Sequence, residues 1–243
     1  MINNQITIVT PTKNAARHIG SLAKSLEAQS RLDFIWLVAD SGSIDDTIHI
    51  VEATELENKN ILRGEDFSIY HGLNRAILHV QTQYYLVVGA DDTLDRCAIE
   101  NYYTLIGLNN EPDLIFSAIR RGRQIIYPRQ KLGWLLGMHG IGSSHSVGTL
   151  IKTQLHHRFG LYSSRFPMMA DAYFLKIAVT AGVATVHSSF IAGCYGLSGY
   201  SSSDSFHYLL EFFEVQLKTE PMPGLQYVLF ILRIAKLGLA QLI

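Results

Sequence analysis

The sequence predicts an α/β protein: a mostly parallel sheet with helices on both faces, followed by a C-terminal helical tail. Two observations predict it. Strand-like apolar runs alternate with helix-period segments through the first half of the chain, which argues for parallel strands joined by crossover helices. Acidic residues also stand directly after several of those runs, at the strand ends where such sheets bind ligands.

The elements follow in order. "QITIVTP" (5–11) reads as a strand stopped by Pro11, and residues 15–29 place Ile19, Leu22, Ala23 and Leu26 at helical spacing. "DFIWLVAD" (33–40) is a second strand, and the polar, acidic start of 43–55 suits a helix N-terminus. A short strand at 60–64 precedes a helix at 68–80, and "YYLVVGA" (84–90) is the next strand, leading to a helix at 94–106. After residue 112 the pattern changes to a hairpin around Gly122, a Gly- and Ser-rich loop feeding a strand within 134–152, a helix at 169–182 ended by Gly182, and extended chain to 196. We expect one domain over 1–205 and a helical tail over 206–243.

Bulk properties narrow the function. The chain has 243 residues, is 48% hydrophobic and 17% charged, so it can bury one sizeable core. Its formal net charge of -1 shows no general attraction to nucleic acid. Cys97 and Cys194 are the only cysteines and make no disulfide framework, which fits a reducing cytoplasm. The N-terminus lacks the basic and apolar regions of a signal peptide. The tail "QYVLFILRIAKLGLAQLI" (226–243) is interrupted by Arg233 and Lys236, and Gln226, Arg233, Lys236 and Gln241 fall near one side at helical spacing. That pattern fits a helix packed on the protein or lying on a bilayer better than one crossing it. The cations Arg120, Arg121, Arg123, Arg129 and Lys131 read either as a solvated hairpin face or as a patch for anionic lipid.

The acids carry the chemistry. Asp40 closes one strand, Asp66 follows another, and Asp91 and Asp92 close a third. Adjacent carboxylates repel, and a divalent cation bridged to an anionic substrate offsets that repulsion. All-oxygen ligands suit Mg²⁺ or Mn²⁺, which take one or two carboxylates plus phosphate oxygens. The bland alternative is a pair of solvated acids capping the helix that follows.

These segments, in this order, resemble the family 2 glycosyltransferases of the GT-A fold. "ITIVTPTKNA" (6–15) resembles the family's opening strand and loop, "VADSGSIDDT" (38–47) its "DGSTDGT" segment, and "VVGADD" (87–92) its metal-site segment. "EDFSIYHGLNRAI" (65–77), "SSHSVGTLIK" (143–152), "MADAYFLKIAVTAG" (169–182) and "GLSGYSS" (196–202) are similar to later family motifs. The resemblance implies an inverting, metal-dependent enzyme. It would move a sugar from a nucleotide-diphospho-sugar, a UDP-sugar first among the donors, to a glycan or lipid-linked glycan. Bacterial surface polysaccharide synthesis at the cytoplasmic face of the inner membrane is the expected setting.

The resemblance also implies roles. Pro11, Thr12 and Asn14 would form the first nucleotide loop, and Asp40 would accept from the base edge, beside a turn of Ser41, Gly42 and Ser43. Asp66 and Asn74 fall on the donor side. Asp91 would bond the ribose or assist the Mn²⁺ or Mg²⁺ ion that Asp92 coordinates. His145 lies toward the acceptor, and Asp171, in an apolar neighbourhood at a helix start, would be the general base. Three departures stand out: His71 replaces a family Asp, the Gly expected before "YYLVV" is missing, and the Arg expected after Asp171 is Lys176 or absent. A non-catalytic nucleotide-sugar-binding or partner subunit of the same fold is the competing expectation.

Overall fold

Apolar side chains at alternate positions of each central strand face opposite ways, and the chain buries both sets. A computed structural model describes residues 6–143, 145–196 and 205–240, with the side chains of 205 and 238–240 left out. Strands β1 (Ile6–Thr12), β2 (Phe34–Asp40), β3 (Lys59–Arg63) and β4 (Tyr84–Val87) are parallel neighbours in the order β3-β2-β1-β4. Ile6, Ile8, Trp36, Val38 and Leu86 join one core with Ile19, Leu22, Val51, Ile99 and Tyr102. Those residues come from α1 (Ala16–Glu27), α2 (Thr47–Glu52) and α4 (Ala98–Leu108). Val9, Leu37, Ala39, Tyr85 and Val87 join a second core with α3 (Ile69–Ile77) and the C-terminal helices. A strand covered on both faces in this way has no solvent side, which is why its sequence runs apolar.

The second half of the sheet is mixed. β5 (Thr93–Leu94), β6 (Leu114–Arg121), β7 (Gln124–Ile126), β8 (Thr149–Lys152) and β9 (Thr185–Cys194) extend the order as β4-β8-β6-β9-β5, with β7 paired to β6. β6 and β9 are parallel, whereas β8, β5 and β7 pair antiparallel with their neighbours. Gly122 turns the β6–β7 hairpin at φ +56, a conformation that costs glycine nothing.

Helices close the structure. Between β7 and β8 lie α5 (Gly133–Leu136) and two short 3₁₀ turns. After β8 come α6 (Leu155–Phe159) and α7 (Ala170–Thr180), whose Phe174, Leu175 and Ala178 are buried in the second core. α8 (Ser205–Thr219) adds Phe212 and Val215 to that core, and α9 (Pro223–Ala240) pairs with α8. No described helix is long and apolar enough to cross a membrane.

Register sets the site. Thr12 is opposite Asp40 and Asp40 opposite Arg63, while Val9 is opposite Val87. The carboxyl ends of four parallel strands therefore open on one rim.

Candidate active site

At the β1–β2 end of the rim, Asp40 is 1% exposed and is held by its own turn. Its carboxylate accepts from Thr12 Oγ1 (3.3 Å), Gly42 N (3.2 Å), Ser43 N (3.1 Å) and Ser43 Oγ (2.5 Å). Gly42 sits at φ +79, so the turn depends on glycine there. Asn14, itself at φ +51, donates its N–H to Ser43 Oγ and accepts from Ile44 N, which stitches the two loops together. Pro11 closes β1 opposite Ala39. A base N–H at Asp40 must therefore share an oxygen already engaged by the turn.

The next node is an ion pair. Arg75 donates to both Asp66 oxygens, at 3.1 Å from Nε and 2.5 Å from its terminal nitrogen, and also to the carbonyls of Leu62 and Asp40. Ser41 Oγ donates to the same carboxylate at 2.8 Å, and His71 Nδ1 lies 2.9 Å from it. Burial raises the carboxyl, yet the Arg75 and Ser41 hydrogen bonds outweigh it and hold Asp66 below the ordinary aspartate range. His71 thus stands within this node, its ring nitrogen close to the Asp66 carboxylate. Asn74 is spent elsewhere: its amide donates to Tyr162 O and accepts from Tyr162 N, clamping that residue's backbone.

The two adjacent acids have different surroundings. Asp92 is 2% exposed and accepts from Gly89 N (2.9 Å) and Gly196 N (3.0 Å), whereas Asp91 is half-buried. Burial pushes the Asp92 carboxyl up; His145 and the two N–H donors oppose this, and Asp91 reinforces it. A carboxylate in that state gains from a cation. His145 Nδ1 lies 3.8 Å from Asp92 Oδ2, and its ring stacks on Tyr195 at 4.6 Å. Among the described residues no group of three or more His, Cys, Asp or Glu side chains is arranged to hold a metal ion. Asp92 and Asp91 would hold Mg²⁺ or Mn²⁺ only with further oxygens from water or a ligand.

A cavity of about 50 Å³ is lined by His145 together with Ser143, Tyr162, Asp171, Val87 and Leu175 among others. It has room for a few water-sized groups. Asp171, in the first turn of α7, enters it with one oxygen committed: Oδ1 accepts from Tyr70 OH at 2.7 Å and from Ala172 N at 2.8 Å. Burial, reinforced by Asp171, raises the Tyr70 hydroxyl well above its ordinary value, so Tyr70 stays a donor. Ser143 Oγ is buried with no hydrogen-bond partner among the described residues. Tyr162 is fixed from behind. His156 Nδ1 donates to Gly160 O, so Nε2 accepts from Tyr85 OH, and Tyr162 OH donates to Tyr85. The Tyr162 oxygen is left to accept from whatever enters the cavity.

With that geometry in view, a family model, Glycosyl transferase family 2, matches residues 7–159. The chain belongs to this family. Among its curated relatives, a teichoic acid poly(glycerol phosphate) polymerase from Staphylococcus epidermidis is 32% identical over 116 residues, 46% of this chain and 16% of the polymerase. The chain spans less than half the length of the curated relatives it matches. S. aureus TarS 1-349 in complex with UDP-GlcNAc superposes with TM-score 0.67 at 16% identity, covering 93% of this chain and 70% of that one. Mannosyltransferase PcManGT from Pyrobaculum calidifontis, in complex with GDP-Man and Mn²⁺, gives 0.69 at 15% identity over 92% and 68%. These likenesses establish the GT-A fold.

Asp40 ends β2, Asp66 follows β3, Asp91 and Asp92 stand just beyond β4, and His145 lies beside Asp92 while lining the same cavity as Asp171. Sequence reasoning missed Arg75, Tyr70, Tyr162, Ser143 and Gly196. Tyr70 lies inside the quoted motif "SIYHGLN" and was within reach. Gly196 and Tyr162 act through contacts 104 and 88 residues away along the chain, which no local pattern displays.

Proposed function

We propose that this chain is an inverting, metal-dependent glycosyltransferase. In this reading residues 1–205 form the transferase domain. The donor is a nucleotide-diphospho-sugar, with a UDP-sugar the first candidate, and the acceptor is a hydroxyl of a glycan or lipid-linked glycan. The setting is surface-polysaccharide synthesis, with the enzyme peripheral on the cytoplasmic face of the membrane. The observation that carries the reading is that His145 is shared: its Nδ1 lies 3.8 Å from Asp92 Oδ2, and it lines the same cavity as Asp171. A diphosphate site and an acceptor site must adjoin in this way for transfer.

Asp171 acts as general base in this account. Oδ1 is held by Tyr70 and Ala172, which leaves Oδ2 to take the acceptor's hydroxyl proton. The acceptor oxygen bonds the anomeric carbon as its bond to the diphosphate breaks, and nucleoside diphosphate departs. Ser143 and Tyr162 orient the acceptor, and the stitched loops of Asn14, Asp40 and Ser43 form the nucleotide floor. Asp92, with Asp91, holds the cation, which when bound neutralises charge on the departing diphosphate. TarS and PcManGT, whose structures hold UDP-GlcNAc and GDP-Man with Mn²⁺, support this donor class.

The test is nucleoside diphosphate release from a panel of UDP-, GDP- and dTDP-sugars with Mn²⁺ and a glycan acceptor. Release with one nucleotide, lost in Asp171→Asn while donor binding survives, supports the proposal. Donor binding unaffected by that change, with no turnover in the wild type across the acceptor panel, favours a binding subunit instead.

A further inference from the structure

α9 is turned the opposite way from an ordinary surface helix. The side bearing Gln226 and Arg233 faces the protein, with Lys236 exposed at its margin: Gln226 is 0% exposed and donates to Trp134 O, and Arg233 donates to Leu135 O and lies over the Phe212 ring. Its outward side is apolar. Tyr227 and Val228 are exposed, as are Ile231 at 65% and Leu232 at 60%, positions that share one helical face. α8 continues the surface with exposed Phe206 and Leu210. A packed surface helix normally shows the reverse pattern.

The charges on this hairpin are also sorted. Residues 205–243 contain three acids, Glu211, Glu214 and Glu220, all on or just after α8. Each is bound to the body of the protein: Glu211 accepts from Met168 N and Met169 N, Glu214 pairs with Arg165, and Glu220 pairs with Lys176. Of the three Lys and Arg residues in the same segment, Arg233 is turned inward, whereas Lys218 and Lys236 are exposed. The hairpin therefore offers apolar side chains and the exposed Lys218 and Lys236 to its surroundings, while each of its acids, the partly exposed Glu214 included, is engaged by the body of the protein.

We propose that the outward face of the α8–α9 hairpin seats on an anionic lipid bilayer, its apolar side chains entering the interface and Lys218 and Lys236 meeting the headgroups. The helix lies on the surface and does not cross it. A second copy of this chain fits less well, because a symmetric contact would bring the same cations together while the hairpin's acids are already engaged within the chain. The face also bears on chemistry, since Glu211 holds the segment just before Asp171. Docking therefore presents the base to an acceptor carried in the membrane. In this last respect the inference rests on the lipid-linked acceptor proposed above.

The experiment is vesicle co-sedimentation of the full chain without nucleotide sugar, so its outcome is independent of transfer activity. Vesicles containing phosphatidylglycerol are compared with pure phosphatidylcholine. The expected result is binding to the anionic vesicles, weakened by about tenfold or more in the Ile231→Glu/Leu232→Glu variant. Lys218→Glu/Lys236→Glu is expected to abolish the preference for anionic lipid. All these side chains are exposed, and an unchanged melting temperature confirms that the variants fold. Equal binding to both vesicle types overturns the proposal. So does absence of vesicle binding, with or without a concentration-dependent dimer that Ile231→Glu/Leu232→Glu dissolves in sedimentation velocity.

Discussion

The Tyr70 hydroxyl donates a 2.7 Å hydrogen bond to Asp171 Oδ1 between residues 101 positions apart in sequence. It fixes which carboxylate oxygen faces the cavity. If Asp171 is the general base, Tyr70→Phe is expected to lower kcat by about tenfold with donor affinity unchanged, because orientation is lost while the carboxylate remains. On the same proposal Asp171→Asn is expected to cost roughly 10²–10⁴-fold in kcat. Steady-state kinetics with a saturating donor separate the two.

Gly196 supports Asp92 through its N–H, and a Cβ there would stand 2.5 Å from Asp91 Oδ2 and 2.7 Å from Asp91 O. Gly196→Ala must shift the Asp91–Asp92 turn. The expected outcome is metal-dependent donor binding weakened by about tenfold or more, with a global melting temperature close to wild type. Calorimetric titration with nucleoside diphosphate and Mn²⁺ checks it.

Asp66 and Arg75 form a pair whose carboxylate is 1% exposed and whose guanidinium keeps 20% of its surface in water. Arg75→Met leaves the buried charge with weaker partners and is expected to cost about 3 kcal/mol, measured by urea unfolding. The pair also gives a pH signature. The folded Asp66 lies below its ordinary value of 3.8, so near that pH the unfolded chain binds more protons. Stability from this group is full above 3.8 and is lost as pH falls through the folded value. The stability difference between wild type and Asp66→Asn is therefore expected to be constant above about pH 5 and to shrink as pH falls through 3.8 and below.

Lys176 is 1% exposed, and its ammonium donates to Gln216 and, at 2.5 Å, to Glu220, which ties α7 to the C-terminal hairpin. Burial lowers this lysine below its ordinary value despite the Glu220 bond. Glu220→Ala strands the ammonium and is expected to destabilise the chain by roughly 3 kcal/mol. Lys176→Met removes the buried charge and is expected to be close to neutral. Unfolding midpoints in denaturant distinguish the two variants.

Much of this was legible in the sequence, for a physical reason. β1, β2 and β4 are buried on both faces, so their runs are apolar and end sharply at the polar rim. Asp40, Asp91 and Asp92 are visible as acids at those ends. Parallel pairing dominates as the sequence implies, and the hairpin expected around Gly122 is β6–β7; the antiparallel ladders that join β8 and β5 to their neighbours have no local signal. Short strands such as Thr93–Leu94 carry no pattern of their own, and their pairing is decided by partners a hundred residues away. For α9, the heptad-like spacing revealed two faces but not which one meets the protein. Burial of Gln226 against the Trp134 carbonyl decides that, and it is a tertiary contact.

The central claim is that the rim bearing Asp92 binds a nucleoside diphosphate through a divalent cation, next to the cavity of Asp171. Isothermal titration calorimetry with UDP and GDP, in Mn²⁺ and then in EDTA, tests it most directly. The account predicts binding of one nucleotide in Mn²⁺, lost in EDTA and in Asp92→Ala, and retained in Asp171→Asn. Binding that is equal with and without metal, or unaffected by Asp92→Ala, would contradict it.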